Sequence, residues 1–101
     1  MLISTLNTAE TVPFNLDGRK MFTSEKFELV HLTLKPNEEI APHANLFDVI
    51  FFILEGEGNI FYENQEISVT SNTSIYIEKD KQRGIKNNGN TILRVLVCKV
   101  F

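Results

Sequence analysis

Short apolar runs broken by polar punctuation fill most of the chain, and helix signals are nearly absent. "FELVHLTL" (27–34) stops at Lys35-Pro36-Asn37, and "DVIFFIL" (48–54) stops at Glu55-Gly56-Glu57-Gly58. "NIFY" (59–62) passes through Glu63-Asn64-Gln65 into "EISV" (66–69), and "SIYI" (74–77) ends at Glu78-Lys79-Asp80-Lys81. After "GIKNNGN", the run "TILRVLVCKVF" (91–101) completes the pattern. Runs of this length, rich in β-branched and aromatic residues and bounded by Gly, Pro and Asn, are strands. Their regular spacing predicts an all-β fold, an antiparallel sandwich or barrel. Residues 1–26 add an apolar "VPFNL" and a "MF" pair, which predict one or two further edge strands.

Alternation decides which side chains meet. Val49, Phe51 and Ile53 share one face of their strand, because successive side chains point to opposite sides. The runs at 27–34 and 91–101 are apolar on both faces. One face of each fills the barrel, and the other needs a second sheet or a partner subunit, so a homodimer is expected.

A chain of 101 residues suits one domain, taken as 1–101. Its net charge is −3, and the basic cluster Lys79, Lys81, Arg83, Lys86 is interleaved with Glu78 and Asp80. That is no nucleic-acid footprint. Cys98 is the one cysteine, so no internal disulfide forms; it sits in an apolar run and reads as a small buried thiol in a reducing compartment. The N-terminus lacks the basic-then-apolar order of a signal peptide. "VIFFIL", the longest apolar run, falls far short of the ~20 residues that span a bilayer. A cytoplasmic protein without a membrane partner is expected.

Candidate chemistry gathers in two stretches. "PNEEIAPHANLFDVIFFILEGEG" and "TSNTSIYIEKDKQRGIKNNGN" together resemble the two motifs of a small single-domain cupin, an RmlC-like jelly-roll barrel or double-stranded β-helix. The first motif lies at about 37–56, with its first glycine position at Asn37, its histidine pair at His43 and Asn45, its glutamate at Val49 and its last glycine at Gly56. The second lies at about 72–87 and lands on Asn72, Glu78, Asp80, Arg83 and Asn87. Spacing is kept while identities are not. Three glycine positions hold Asn37, Asn72 and Asp80, the residue types that best tolerate φ > 0 after glycine. Asn87 is suited to capping a turn.

The resemblance implies that His43, Asn45, Val49 and Arg83 stand where metal-binding cupins hold a divalent ion. Only His43 keeps an imidazole, Val49 has no donor atom, and Arg83 brings a permanent positive charge. A catalytic transition metal takes at least three His or carboxylate ligands. The expectation is therefore a metal-free cupin with no cofactor. If a metal is present, its ligands would be His43, Asn45 and Asp48, although Asp48 faces away from Val49 unless a bulge shifts the register.

Without the ion, the barrel mouth becomes a site for a small anionic, partly apolar molecule. Arg83 would grip it, His43 and Asn45 would orient it, and Phe51 with Tyr76 would line it, as would Ile53 or Phe61. Simpler roles stand beside these. Arg83 in its charged loop can face water or pair with Asp80 or Glu78, His43 can bond a backbone carbonyl, and Asn45 can serve the turn. His31 lies outside the barrel if Val30, Leu32 and Leu34 fill it; the reverse facing would bring it to His43. No nucleophile–base order is present, and Cys98 lacks an activating neighbour. Three functions compete: a non-enzymatic binding or sensor module, a metal-dependent dioxygenase or isomerase with an altered ligand set, and a structural dimer whose barrel is filled by phenylalanines.

Overall fold

A computed structural model describes residues 1–13 and 15–101, so Phe14 of "VPFNL" lies outside the described residues. The strands in chain order are β1 (Glu10–Thr11), β2 (Asp17–Thr23), β3 (Phe27–Leu34), β4 (Glu39–His43) and β5 (Asp48–Glu55). They continue with β6 (Glu57–Tyr62), β7 (Gln65–Thr70), β8 (Ser74–Ile77), β9 (Arg83–Lys86) and β10 (Leu93–Val100). One sheet runs β1-β2-β3-β10-β5-β8 and the other β4-β9-β6-β7, antiparallel throughout. Two such sheets, face to face, make the jelly-roll barrel. Among the described residues no helix is long and apolar enough to cross a membrane.

Six expected strands appear at or within two residues of the expected limits, and the N-terminal region supplies β1 and β2. β4 and β9 were expected as loops. "EIAPH" carries a proline, and "RGIK" is short and charged, so neither reads as a strand. β4 tolerates Pro42 because it is an edge strand with a register shift between Ile40 and His43.

Register stacks the inner wall in layers. Leu34 faces Leu93; Leu32, Val95 and Ile53 form the next row; Val30, Val97 and Phe51 the one above. Leu34, Ile53, Leu93 and Val95 are fully buried, so this end of the barrel is closed. The top row continues the same alternation but is not apolar: Glu28 faces Lys99, and Lys99 faces Val49.

Turn chemistry follows the expected substitutions. Asn37 (φ 72°), Asn72 (φ 64°) and Asp80 (φ 67°) occupy the left-handed region, as does Gly56 (φ 86°). At Gly56 a Cβ would also run into the Ile92 carbonyl. Glu63 (φ 52°) is a fourth non-glycine case that no pattern anticipated. Asn87 is fully buried. Its Nδ2 donates to Leu34 O (2.9 Å) and Thr91 O (2.8 Å), and its Oδ1 accepts from Gly89 N (3.0 Å).

His31 lies on the outer face of the sheet, opposite in sense to Val30 and Leu32, and cannot meet His43. Its Nε2 accepts from Arg94 Nη2 at 3.0 Å, and Arg94 Nη1 reaches Glu55 Oε1 at 3.4 Å. Burial, then the Arg94 charge, lowers the imidazole pKa below its usual value.

Asn87→Asp keeps the shape but loses two donors and sets a carboxylate against two carbonyl oxygens. It is expected to cost at least about 3 kcal/mol in urea unfolding. A loss below about 1 kcal/mol would show that the side-chain donors are dispensable.

Candidate functional site

The open end of the barrel is a cavity of about 630 Å³. Val30, Leu32, Val49, Phe51 and Val97 form its apolar wall, and Glu39, His43, Asn45, Arg83 and Lys99 carry its polar groups. All four positions of the expected site, His43, Asn45, Val49 and Arg83, line this one space. The pairing of β4 with β9 places His43 directly opposite Arg83. Phe51 lines it as expected.

Tyr76 does not. It pairs with Ile50 on the outward side of β5, is 60% exposed, and donates its hydroxyl to Asp48 Oδ2 at 3.0 Å. Alternation puts Ile75 and Ile77 inward and Tyr76 outward. Phe61 likewise alternates with the buried Ile60 and points away, while Ile53 lies below the cavity in the closed layers.

Arg83 neither faces water nor forms an ion pair with Asp80 or Glu78. It is 2% exposed. Its Nη1 donates to Phe47 O (2.9 Å), Nη2 to Glu78 O (2.8 Å) and Nε to Lys81 O (3.2 Å). Three of its five N–H donors are thus committed to backbone carbonyls. Burial pulls the guanidinium pKa down, opposed by the charges of Asp48, Glu78 and Asp80, and an arginine stays protonated throughout. The cation also stands 5.9 Å from the centroid of the Phe47 ring.

The alternation that turns Tyr76 outward also turns Asp48 away from the mouth. Asp48 Oδ1 accepts from Lys79 N at 2.8 Å and Oδ2 from Tyr76. These bonds, led by the Lys79 amide, hold its carboxyl below the usual carboxylate range. Asp48 is therefore a clasp on the β8–β9 loop and no partner for His43. His43 itself is exposed, with Nδ1 against Ala41 O of its own strand (2.9 Å). Among the described residues no three His, Cys, Asp or Glu side chains are grouped to hold a metal ion. One imidazole, one amide, a valine and a bonded guanidinium do not make the donor set that a divalent transition ion requires.

One residue of the mouth, Lys99, and its buried partner Glu28 are not among the residues expected from the sequence. Lys99 lines the cavity, and its Nζ lies 3.2 Å from Glu28 Oε2 and 5.8 Å from the Phe47 centroid. Glu28 is buried, and its Oε1 accepts from Thr23 Oγ1 at 3.1 Å. The signal was present: stepping by two from Val95 and Val97 reaches Lys99, and from Leu32 and Val30 reaches Glu28. Glu39 is exposed and borders the cavity.

The two-sheet barrel agrees with the sequence comparison. The family pattern described as "Cupin domain" matches residues 30–99. The chain belongs to the cupin family. An uncharacterized protein of Methanocaldococcus jannaschii is 37% identical to this cupin over 49 residues, 48% of the chain and 39% of that relative. The match thus spans well under half of the relative's length. A cupin 2 conserved barrel domain protein from Salinispora arenicola superposes with a TM-score of 0.85 at 13% identity, covering 100% of this chain and 89% of that one. The polyketide cyclase RemF from Streptomyces resistomycificus gives 0.86 at 17% identity, covering 99% and 79%. A predicted oxalate decarboxylase from Thermotoga maritima gives 0.81 at 20% identity, covering 85% and 80%. At these identities the likeness concerns the fold alone.

Arg83→Met removes three charge-assisted bonds and leaves buried carbonyls unpaired. It is expected to cost about 3–5 kcal/mol in urea unfolding with no ligand present. A cost under about 1 kcal/mol would mean that the loop carbonyls are satisfied without it.

Proposed function

We propose that this cupin is a metal-free binding module, and not an enzyme, that takes a small, partly apolar organic anion into its barrel mouth. The observation carrying the reading is the cavity itself: apolar side chains line its depth, and the cations Arg83 and Lys99 stand at its rim, each close to the Phe47 ring. Its volume, about 630 Å³, falls in the ~300–1,000 Å³ range of small-molecule sites. That space speaks against a barrel closed by its own phenylalanines. The lack of a donor set around His43 speaks against the metal-dependent alternative. Cys98, unpaired within the chain, suits a reducing, cytoplasmic setting.

Hexanoate and 3-phenylpropionate should raise the melting temperature and shift mouth resonances in two-dimensional NMR, whereas their neutral amides should do so less. EDTA should leave this unchanged. One equivalent of transition metal retained through dialysis, or binding abolished by EDTA, would overturn the metal-free reading.

A second copy of the chain is the proposed partner. On the outer face of the larger sheet Leu29 and Ile50 flank Cys98, Leu96 pairs with Phe52 in the next row, and Ile50 is 36% exposed. Light scattering after size exclusion should give twice the chain mass, and Ile50→Lys should halve it. A wild-type monomer at tens of micromolar would refute the dimer.

A further inference from the structure

Two cations border the cavity, and they are not equivalent. Arg83 has spent Nε and one donor on each terminal nitrogen on the carbonyls of Lys81, Phe47 and Glu78. With Nε occupied, the side-on two-point grip on a carboxylate is closed to it. Lys99 has three donors, and its recorded polar partner is Glu28 Oε2 at 3.2 Å. It projects from the inner face of β10, one step above Val97, so its ammonium stands where the apolar wall meets the opening.

We propose that Lys99 is the residue that reads the anionic head of the ligand, that Glu28 is the internal carboxylate it is shared with, and that the preferred ligand is a monocarboxylate with an apolar body. This rests on the reading of the mouth as an anion site, and changes Arg83 from the gripping residue to the one that shapes the rim. Glu28 orients the ammonium, because its other oxygen is held by Thr23 and the pair is fixed directly across β3 and β10. An arriving carboxylate takes the donors of Lys99 that Glu28 does not use. Glu28 keeps Thr23 and is not left bare.

The ligand's charge follows from the same accounting. The mouth is lined by the cations Arg83 and Lys99 and by the anion Glu39, and Lys99 is paired with Glu28. A second carboxylate at the far end of the ligand would be buried against Val30, Val97 and Phe51 with no cation to meet it. The body of the ligand lies against Val30, Val97 and Phe51, which ask for an aliphatic or aromatic chain.

Titrations followed by two-dimensional NMR would compare hexanoate, hexanamide and adipate on the wild type, Lys99→Gln and Glu28→Gln. Wild type should bind hexanoate about tenfold more tightly than hexanamide, and Lys99→Gln should abolish that preference while leaving hexanamide unchanged. Glu28→Gln should tighten hexanoate about threefold, by removing the charge that competes for Lys99, while adipate stays the weaker ligand. If wild type prefers the acid and Lys99→Gln keeps that preference, the role of Lys99 is refuted while the anion site stands. If wild type shows no preference for the acid, the anion site falls and Lys99 with it. Should Lys99→Gln fail to fold, Glu28→Gln decides: no gain for hexanoate overturns the proposal.

Discussion

The open end of this barrel is organised by the Arg83 guanidinium. Buried at the start of β9, it ties Phe47, at the entry to β5, to Glu78 and Lys81 in the β8–β9 loop. Both segments are loops that cross between the sheets, β4 to β5 and β8 to β9, so one side chain on the smaller sheet fastens the two crossovers together. Neighbouring bonds converge on the same loop: Asp48 accepts from Lys79 N, Asn45 O from Asp80 N, and Tyr62 donates to Glu78. A planar cation with five donors in fixed directions can serve three carbonyls at once, which an ammonium on a flexible stem does far less well.

The same position explains why the cupin mouth is open and yet ill-suited to an ion. Where the metal-holding pattern asks for a neutral imidazole, the chain places a fixed positive charge whose field repels any cation. Its bonding appetite is met by backbone, not by a ligand, so the rim stays formed with nothing bound. Val49 then contributes packing where a carboxylate would contribute charge. The result is a cavity with an apolar depth and a polar lip.

Two faces of the larger sheet divide the work. Inward, successive rows pass from fully buried aliphatics to the Glu28–Lys99 pair, so polarity rises along the barrel axis toward water. Outward, His31 stands between Leu96 of β10 and Arg19 of β2, and burial and the Arg94 charge favour its neutral form. Ionisable groups inside and outside thus serve different ends: Lys99, backed by Glu28, meets the cavity, and the outer cluster finishes a packing face.

Much of this was legible in the chain. Strand positions followed from period-two runs, and the positive-φ turns at Asn37, Asn72 and Asp80 followed from residue chemistry, because both are local properties of a few consecutive residues. The convergence of His43, Asn45, Val49 and Arg83 was readable through motif spacing, which encodes the barrel's register. β4 and β9 were illegible because their stability comes from neighbours, not from propensity. The role of Arg83 was equally hidden, since sequence names the donors of a guanidinium but not the carbonyls that fold around it. Tyr76 and Lys99 mark the boundary. Alternation by itself would have sent one outward and the other in, but only the assembled sheets decide that inward, at that height, means the wall of an open cavity and not the core.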